Sequence, residues 1–543
     1  MDLYIPEEIL AVITSHLELP SAHVIAFDRI QTDKHAPEID PDENLLLRLG
    51  TLASLSCVSR AAHRIAEPYP YKVWPGNRIK DPRGFIAALA ARPERATLVK
   101  ALVIDDHQRW LGPMPTYEVT EQVVGHGDDQ MSVIKDRDGN VTFLEAATAV
   151  AQVEGWKRAE AEMRVLDAPF DTPLSDLYQS SMSYFQKVVA ESPLLAELAS
   201  DLNCALEEGH PDAVLSLLLI MCHRNIAGFS LTPCCQYGYS LAWRTLANQA
   251  DPTMPGWTIS RTPSIGDNFD SLQCLSLWMS GSARVVDGIG LLAPLIYTQS
   301  VVSICIDNAI FETKGNEFDL SRMTRDLTLS PHLRTLKLSN CDVRDHDLPF
   351  LPACGNLEAL EIVYDSKCDM LDRPWNGRLV ADTISKYLPK LEHLTFDVRL
   401  CKACEWDGDL LDGMGAPFTS LSKLFHLKTI TASPAAFFAS SHISAPDVDG
   451  EPALTARLPR SIEQITFLGR SRSREMFSAD AIEQIHALLS ANEFQRLQKI
   501  SFEWQSAMRP DFLSDQSWQQ CLEHWHGDVA TYSITRQVQR GMD

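Results

Sequence analysis

Two patterns of apolar and polar positions divide this chain. Near the N-terminus the apolar residues recur three or four positions apart, which predicts one face of a helix. They are Ile5, Ile9, Leu10, Ile13 and Leu17. From about residue 99 to residue 502 a different phrase recurs: an apolar residue, two residues, an apolar residue, one residue, an apolar residue. The alternation that closes this phrase predicts a short, half-buried strand.

The strand phrase occurs ten times. Its apolar residues are Val99, Leu102 and Ile104; Ile226, Phe229 and Leu231; Leu272, Leu275 and Leu277; Val301, Ile304 and Ile306; Leu333, Leu336 and Leu338; Leu357, Leu360 and Ile362; Leu391, Leu394 and Phe396; Leu427, Ile430 and Ala432; Ile462, Ile465 and Phe467; Leu497, Ile500 and Phe502. We take the middle residue of each phrase as its marker. The last five markers lie 34, 36, 35 and 35 residues apart, whereas the intervals from marker 229 to marker 360 range from 24 to 46.

Chance would produce on the order of a dozen such matches in a chain of this length, so the bare count proves nothing. The converging interval and the polar residues between the apolar ones favour a repeat. Helical patterns lie between phrases, for example at 378–388 and 477–489. One strand and one helix per unit predict an α/β fold, an irregular solenoid with parallel strands inside and helices outside. The alternative is an ordinary α/β domain.

These patterns predict four segments. They are 1–75, a helical module with a polar insert at about 20–44; 76–98, a linker and lead-in helix; 99–510, the solenoid, with a helical insertion at about 141–222; and 511–543, a C-terminal cap and tail. Pro68 and Pro70 should end the last helix of the module, because proline cannot donate the backbone hydrogen bond that a helix interior needs.

The totals describe an acidic globular chain. Its 543 residues are 45% hydrophobic and 22% charged, which allows a large core and argues against a mainly disordered chain. The net charge of -24 and the pI near 5.1 argue against non-specific nucleic-acid binding, which needs surplus lysine and arginine. Solubility explains this acidity, and a preference for basic partners is the other interpretation.

Cysteine usage and hydropathy bear on location. The 13 cysteines are scattered and odd in number, as in proteins of a reducing compartment. The acidic start has no secretory signal pattern. The longest apolar run, 213–222, is roughly half the ~20 residues that a membrane helix needs. We therefore expect a soluble, intracellular protein, cytoplasmic or nuclear or both, without membrane or nucleic-acid partners.

Catalytic and metal-binding motifs are absent from the sequence. It has no phosphate-binding glycine loop, nucleophile elbow or zinc-protease motif. Cys401 and Cys404 form a lone C-x-x-C pair, whereas a structural zinc site needs four ligands. We therefore predict a protein that is not an enzyme and that uses no metal or cofactor.

The segments IPEEIL and LASLSCVSRAAHRIAEPYPYKVW resemble the F-box, and the whole chain resembles fungal-type F-box proteins with degenerate leucine-rich repeats. The residues that match the F-box pattern are Ile5, Pro6, Glu8, Ile9, Leu10, Leu52, Leu55, Val58, Ser59 and Arg60. The resemblance covers 3–19 and 45–74 for the module and about 95–505 for the repeats. The 20–44 insert departs from the family, whose members usually lack it or keep it short.

The resemblance implies that the module docks a Skp1-type adaptor, and through it a cullin-based ubiquitin ligase, while the repeats bind a protein target. It implies adaptor contact by Ile5, Pro6, Ile9, Leu10, Leu52, Leu55 and Val58. A module of about 45 residues is too small for a self-sufficient core, so a spare apolar stripe on it favours a partner. The alternative is a scaffold without a ligase connection, whose N-terminal helices only cap the repeats. The insert motivates that alternative because it could obstruct docking.

Overall fold

The computed structural model describes part of the chain. The described residues are 10, 14, 51–52, 54–55, 57–75, 82–104, 122–124, 131–135, 141–145, 176–231, 241–248, 265, 268–278, 298–307, 310–311, 332–343, 351–364, 377–397, 418, 420–438, 453–470, 479–505, 522–526 and 529–535. Ile5, Pro6, Ile9, Cys401, Cys404 and the 20–44 insert lie outside them.

Most of the described strands, from residue 73 to residue 535, belong to one main sheet. In chain order the strands are β1 Val73–Pro75, β2 Ala101–Ile104, β3 Gln122–Val124, β4 Met131–Lys135, β5 Val141–Glu145, β6 Gly228–Leu231, β7 Cys274–Trp278, β8 Ser303–Asp307, β9 Ile310–Phe311, β10 Thr335–Val343, β11 Ala359–Tyr364, β12 His393–Asp397, β13 Thr429–Ala432, β14 Gln464–Arg470, β15 Lys499–Gln505, β16 Leu522–His526 and β17 Val529–Thr535. The main sheet has the order β1-β2-β6-β7-β8-β10-β11-β12-β13-β14-β15-β17-β16, and β9 pairs with β10.

The eleven strands from β1 to β15 along this path are all parallel, which confirms the predicted α/β fold with parallel strands. All ten phrases are strands, and their marker residues pair in one continuous register. The row runs Leu102, Phe229, Leu275, Ile304, Leu336, Leu360, Leu394, Ile430, Ile465 and Ile500. Strand β1, which no phrase predicted, adds Trp74 to the same row.

One backbone device recurs at all ten junctions between these parallel strands. The carbonyl of the residue before each strand accepts two N–H groups from the next unit. The Lys72 carbonyl, for example, accepts from Lys100 at 2.7 Å and Ala101 at 3.0 Å, and the Glu392 carbonyl accepts from Lys428 at 2.8 Å and Thr429 at 3.1 Å. Because buried backbone groups need partners, this repeated pairing sets the offset between neighbouring units.

Helices cover one face of the sheet. They are α1 Arg60–Ala66, α2 Pro68–Tyr71, α3 Arg83–Ala91, α4 Asp176–Ser180, α5 Met182–Glu191, α6 Ala196–Glu207, α7 Pro211–Cys222, α8 Leu241–Ala247, α9 Gly377–Tyr387, α10 Leu454–Arg457 and α11 Ala479–Ser490. The described residues also include four 3₁₀ segments: Pro93–Leu98, His223–Asn225, Leu351–Cys354 and Pro434–Ala436. Apolar residues from α3, α5–α7, α9 and α11 form one core with the marker residues.

The later units carry a chain of buried phenylalanines. Phe418 lies 5.3 Å from Phe396 and 5.6 Å from Phe437, measured between ring centroids. Phe467 continues the chain at 6.0 Å from Phe437 and 5.6 Å from Phe502. Each is at most 1% exposed, and burying one such side chain contributes about 1.5–3 kcal/mol.

A helical insertion stands between β2 and β6, and its centre is α7. Residues 212–220 of α7 are all buried, which is the burial pattern of a helix surrounded by other elements. It contacts α3, α5, α6 and α8. The Asp212 carboxylate accepts the N–H groups of Leu241 and Ala242, the latter at 3.2 Å, so α7 supplies the N-terminal cap of α8.

The predicted start of this insertion was wrong. Helix was expected from Val141, whereas β5 occupies 141–145 in a separate antiparallel sheet of order β3-β4-β5. The β-branched and aromatic residues of this strand and the Asp-Gly-Asn turn signal before it favour a hairpin over a helix. Described helix begins at Asp176, and the intervening residues lie outside the described chain.

At the far end of the sheet the strand direction reverses. Strand β17 pairs antiparallel with β15, and β16 pairs antiparallel with β17. This hairpin supplies hydrogen-bond partners to the outer edge of β15, which would otherwise expose unpaired backbone groups.

Candidate protein-interaction surfaces

The N-terminal module presents an apolar turn to solvent. Cys57 and Val58 donate their N–H groups to the carbonyls of Ser54 and Leu55, both at 3.1 Å, and form a turn directly before α1. The Ser59 hydroxyl then accepts the Ala62 N–H at 3.0 Å and caps α1. Val58 is 70% exposed because it stands outside the capped helix.

The seven predicted adaptor-contact residues separate into three groups. Leu55 is half-buried and Val58 exposed, so both lie at the surface. Leu10 and Leu52 are 5% and 0% exposed, so both are buried within this chain. Ile5, Pro6 and Ile9 lie outside the described residues.

A charged cluster joins the module to the sheet. We call it the Glu67 joint. The Glu67 carboxylate accepts hydrogen bonds from Arg92 at 2.8 Å and from Arg95, whose guanidinium also lies 4.7 Å from the Tyr71 ring centroid. The hydrogen bonds from Arg95 lower the pKa of Glu67, with Arg92 and His63 adding in the same direction.

The aromatic residues at the end of the module also belong to this connection. Trp74 is 3% exposed and lies 4.9 Å from the ring of Phe85, while Tyr71 is half-buried 5.8 Å from the same ring. Trp74 therefore packs in the sheet core, and the module runs directly into the first parallel strand.

Side chains that alternate with the markers form the second face of the sheet. In the early units they are small: Ala101, Val103, Cys274, Ser276 and Cys305 are each at most 4% exposed. In the later units they are polar and pair in register along the row Thr395, Thr431, Thr466 and Ser501. Cross-strand threonine pairs of this kind stabilise a sheet. Thr395 and Thr431 are half-buried, whereas Thr466 and Ser501 are 3% and 2% exposed.

Two ionic or polar pairs mark this second face. Lys337 is 8% exposed, and its ammonium lies 2.7 Å from the Glu361 carboxylate on the neighbouring strand. His393 Nδ1 lies 2.7 Å from the Thr429 hydroxyl one unit further on. Burial raises the pKa of the nearby Cys305 thiol well above its usual value, so this thiol stays protonated and is a poor nucleophile.

Within the part of the chain that the structure describes, no three or more histidine, cysteine, aspartate or glutamate side chains cluster as a metal site. None of the described helices is both long and apolar enough to cross a membrane.

No protein-family model matches the chain, and no curated protein matches it significantly.

Proposed function

We propose that this chain is the substrate-recognition subunit of an SCF-type ubiquitin ligase, an F-box protein with irregular leucine-rich repeats. In this proposal the N-terminal helices dock a Skp1-type adaptor, and through it a cullin. The repeat surface holds a protein target, and the chain itself performs no catalysis. The observation that carries the proposal is the exposed Val58 beside half-buried Leu55, in the segment whose sequence resembles the F-box.

The order of the strands supports the repeat half of the proposal. Apart from the inserted β3–β5 and the short β9, each parallel strand lies beside the one that precedes it in the chain. Stacked units of a solenoid produce this order, whereas doubly wound α/β domains reverse the order at a switch point. A surface built from many units suits extended contact with a protein target.

The Glu67 joint supports the proposed division of labour. The carboxylate and its two arginines tie the end of α1 to the segment after α3, so the module and the first strands are held together. A rigid connection would keep a bound target at a constant distance from the adaptor. The buried thiols, such as Cys222 and Cys274, support residence in the reducing cytoplasm or nucleus.

A second function has its own support. Leu10 and Leu52 are buried within the chain, and β1 follows the module without a break. These features suit a scaffold in which the N-terminal helices only cap the repeats. In that case, limited proteolysis of the full chain would leave the fragment of about 80 N-terminal residues attached to the repeats, and no adaptor would bind.

Co-purification of the full chain with a Skp1-type adaptor tests the proposal. We expect wild type to bind and the Leu55→Asp, Val58→Asp double variant to lose binding at least about tenfold, because two charges would enter an apolar contact. Phe425→Asp is the matched control, since Phe425 is 77% exposed elsewhere on the chain. If folded wild type fails to bind, the scaffold replaces the ligase subunit. If the double variant binds normally, docking does not use Leu55 and Val58, and the observation that carries the proposal is lost.

A further inference from the structure

The turns that precede the parallel strands recur, one per unit, along the N-terminal ends of those strands. The four turns 388–391, 424–427, 459–462 and 494–497 are each closed by an N–H of the fourth residue donating to the carbonyl of the first, at 3.0–3.2 Å. The first and fourth residues of each turn are buried in the core. The two central residues therefore face outward. We call these four turns the edge turns.

The second position of the turn normally holds a polar or small residue. Equivalent turns close at 96–99, 269–272, 298–301 and 354–357. In the eight turns this position holds Thr97, Asp270, Gln299, Gly355, Pro389, Phe425, Arg460 and Gln495. All eight are exposed, and only Phe425 among them is a large apolar residue. Because the second position of the turn faces outward, the Phe425 side chain is 77% exposed.

The third position changes chemistry along the sheet. In turn 298–301 it is Ser300, whose hydroxyl donates to the Leu272 carbonyl of the preceding turn at 2.8 Å. In the edge turns it is Lys390, His426, Ser461 and Arg496. All but Ser461 are exposed: Lys390 lies on the turn before Phe425, His426 follows Phe425 in the same turn, and Arg496 lies two turns further on. Adjacent strands lie about 4.8 Å apart, which places these side chains within reach of one bound peptide.

The edge turns are locally basic on an acidic chain. The turns and the residue on each side of them carry five cations and three carboxylates: Lys390, Lys423, Lys428, Arg460 and Arg496 with Glu392, Glu463 and Glu493. Two of these cations form ion pairs with carboxylates of the same set. Lys428 lies 2.6 Å from Glu392, and Arg460 lies 3.3 Å from Glu493. Lys390 donates to the neutral amide oxygen of Asn356 at 2.7 Å.

We infer that the edge turns bind an acidic peptide segment of a partner protein, with an apolar side chain of that segment packed on the Phe425 ring. The exposed ring supplies apolar area, and Lys390, Lys423 and Arg496 supply charge for flanking carboxylates. A long nucleic acid is disfavoured because the chain as a whole carries -24 charges, which repel a polyanion more than a short peptide. None of the residues in this surface belongs to the N-terminal module, so the inference stands without adaptor docking.

The test uses the full chain and fluorescein-labelled peptides of about 15 residues in an anisotropy assay. One peptide contains Asp, Glu and Ser around a central Leu. A second has Ala at the centre, and a third replaces the acids by Asn and Gln. We expect the first peptide to bind about tenfold more tightly than either of the others. Binding should weaken between about 50 and about 300 mM salt, because the charges are exposed.

Two variants locate the binding. Phe425→Ser and the triple variant Lys390→Glu, Lys423→Glu, Arg496→Glu should each weaken the first peptide about tenfold, without changing thermal stability, since all these side chains are exposed. Gln299→Ser changes the same position in a distant turn and should have no effect. Failure of every peptide to bind, or binding unaffected by both variants, would overturn the inference. Tighter binding of an oligothymidylate of equal length would reassign the surface to nucleic acid.

Discussion

Asn248 offers the sharpest test of how the helical insertion is held. It follows α8 with φ of 53°, in the left-handed region, and is 2% exposed. Its amide oxygen accepts the Leu195 N–H at 2.8 Å, and its amide nitrogen donates to the Pro193 carbonyl at 3.0 Å. One side chain thus supplies both a donor and an acceptor to the segment that joins α5 to α6.

The structure gives the expected magnitudes. Asn248→Gly keeps the backbone conformation but removes both hydrogen bonds, leaving a half-buried N–H and a more exposed carbonyl. We expect a loss of about 2 kcal/mol in local opening free energy. Asn248→Ala loses the same bonds. It also places alanine in the left-handed conformation, which alanine tolerates less well than glycine or asparagine, so we expect a loss about 1 kcal/mol larger than that of the Gly variant. Asn248→Asp keeps the acceptor but turns a carboxylate oxygen toward the Pro193 carbonyl. Its loss of local opening free energy should therefore lie between those of the Gly and Ala variants.

Hydrogen exchange read by mass spectrometry suits this test, because a chain of 543 residues need not unfold in one step. Peptides covering 193–207 and 241–248 should exchange roughly 150-fold faster in the Ala variant and roughly 30-fold faster in the Gly variant. Peptides from β12–β15 serve as the internal control. Equal effects of Ala and Gly would refute the backbone-strain argument, and unchanged exchange in both would refute the hydrogen-bond argument.

Two further predictions concern buried or paired charges. Arg457 is 2% exposed and donates to the carbonyls of Phe418 at 3.2 Å and Phe437 at 2.7 Å. Arg457→Met should therefore destabilise the β13–β14 region by about 2–4 kcal/mol, measured as faster local hydrogen exchange. Arg457→Lys is the partial control. Because hydrogen bonds from Arg95 depress the pKa of Glu67, its stabilising contribution is present above the usual glutamate value of about 4.5 and is lost as pH falls through the lower folded-state value. Glu67→Gln should remove that acid sensitivity at α1, and a variant as acid-sensitive as wild type would contradict the role of the joint.

The strand pattern shows how much of the fold local sequence could predict. All ten phrases are neighbouring strands of one parallel arrangement, in a common register. Alternation of apolar and polar residues is a local signal, because each strand buries one face wherever it lies. The signal was weaker at β1, whose three residues are too few to show a period, and at β5, where helix formers follow a hairpin strand.

The interaction surfaces were less predictable. Phe425 could have been found by aligning the phrases, since it stands two residues before the apolar position Leu427, where other phrases carry polar or small residues. Val58 and Leu52 belong to the same apolar motif, yet one is 70% exposed and the other fully buried. Their difference depends on the turn at 57–58 and on packing with distant residues, which periodicity does not record.

The sequence alone therefore determined the parallel α/β character and the positions of ten strands, because the burial pattern of a strand is written in adjacent residues. Only the tertiary structure decided which apolar residues of the module stay exposed. It also decided that Trp74 enters the core and that Asn248, Asp212 and Arg457 bind backbone groups 20 to 55 residues away. Such partners are chosen by how distant segments approach one another, and that approach follows from the stacking of the whole chain.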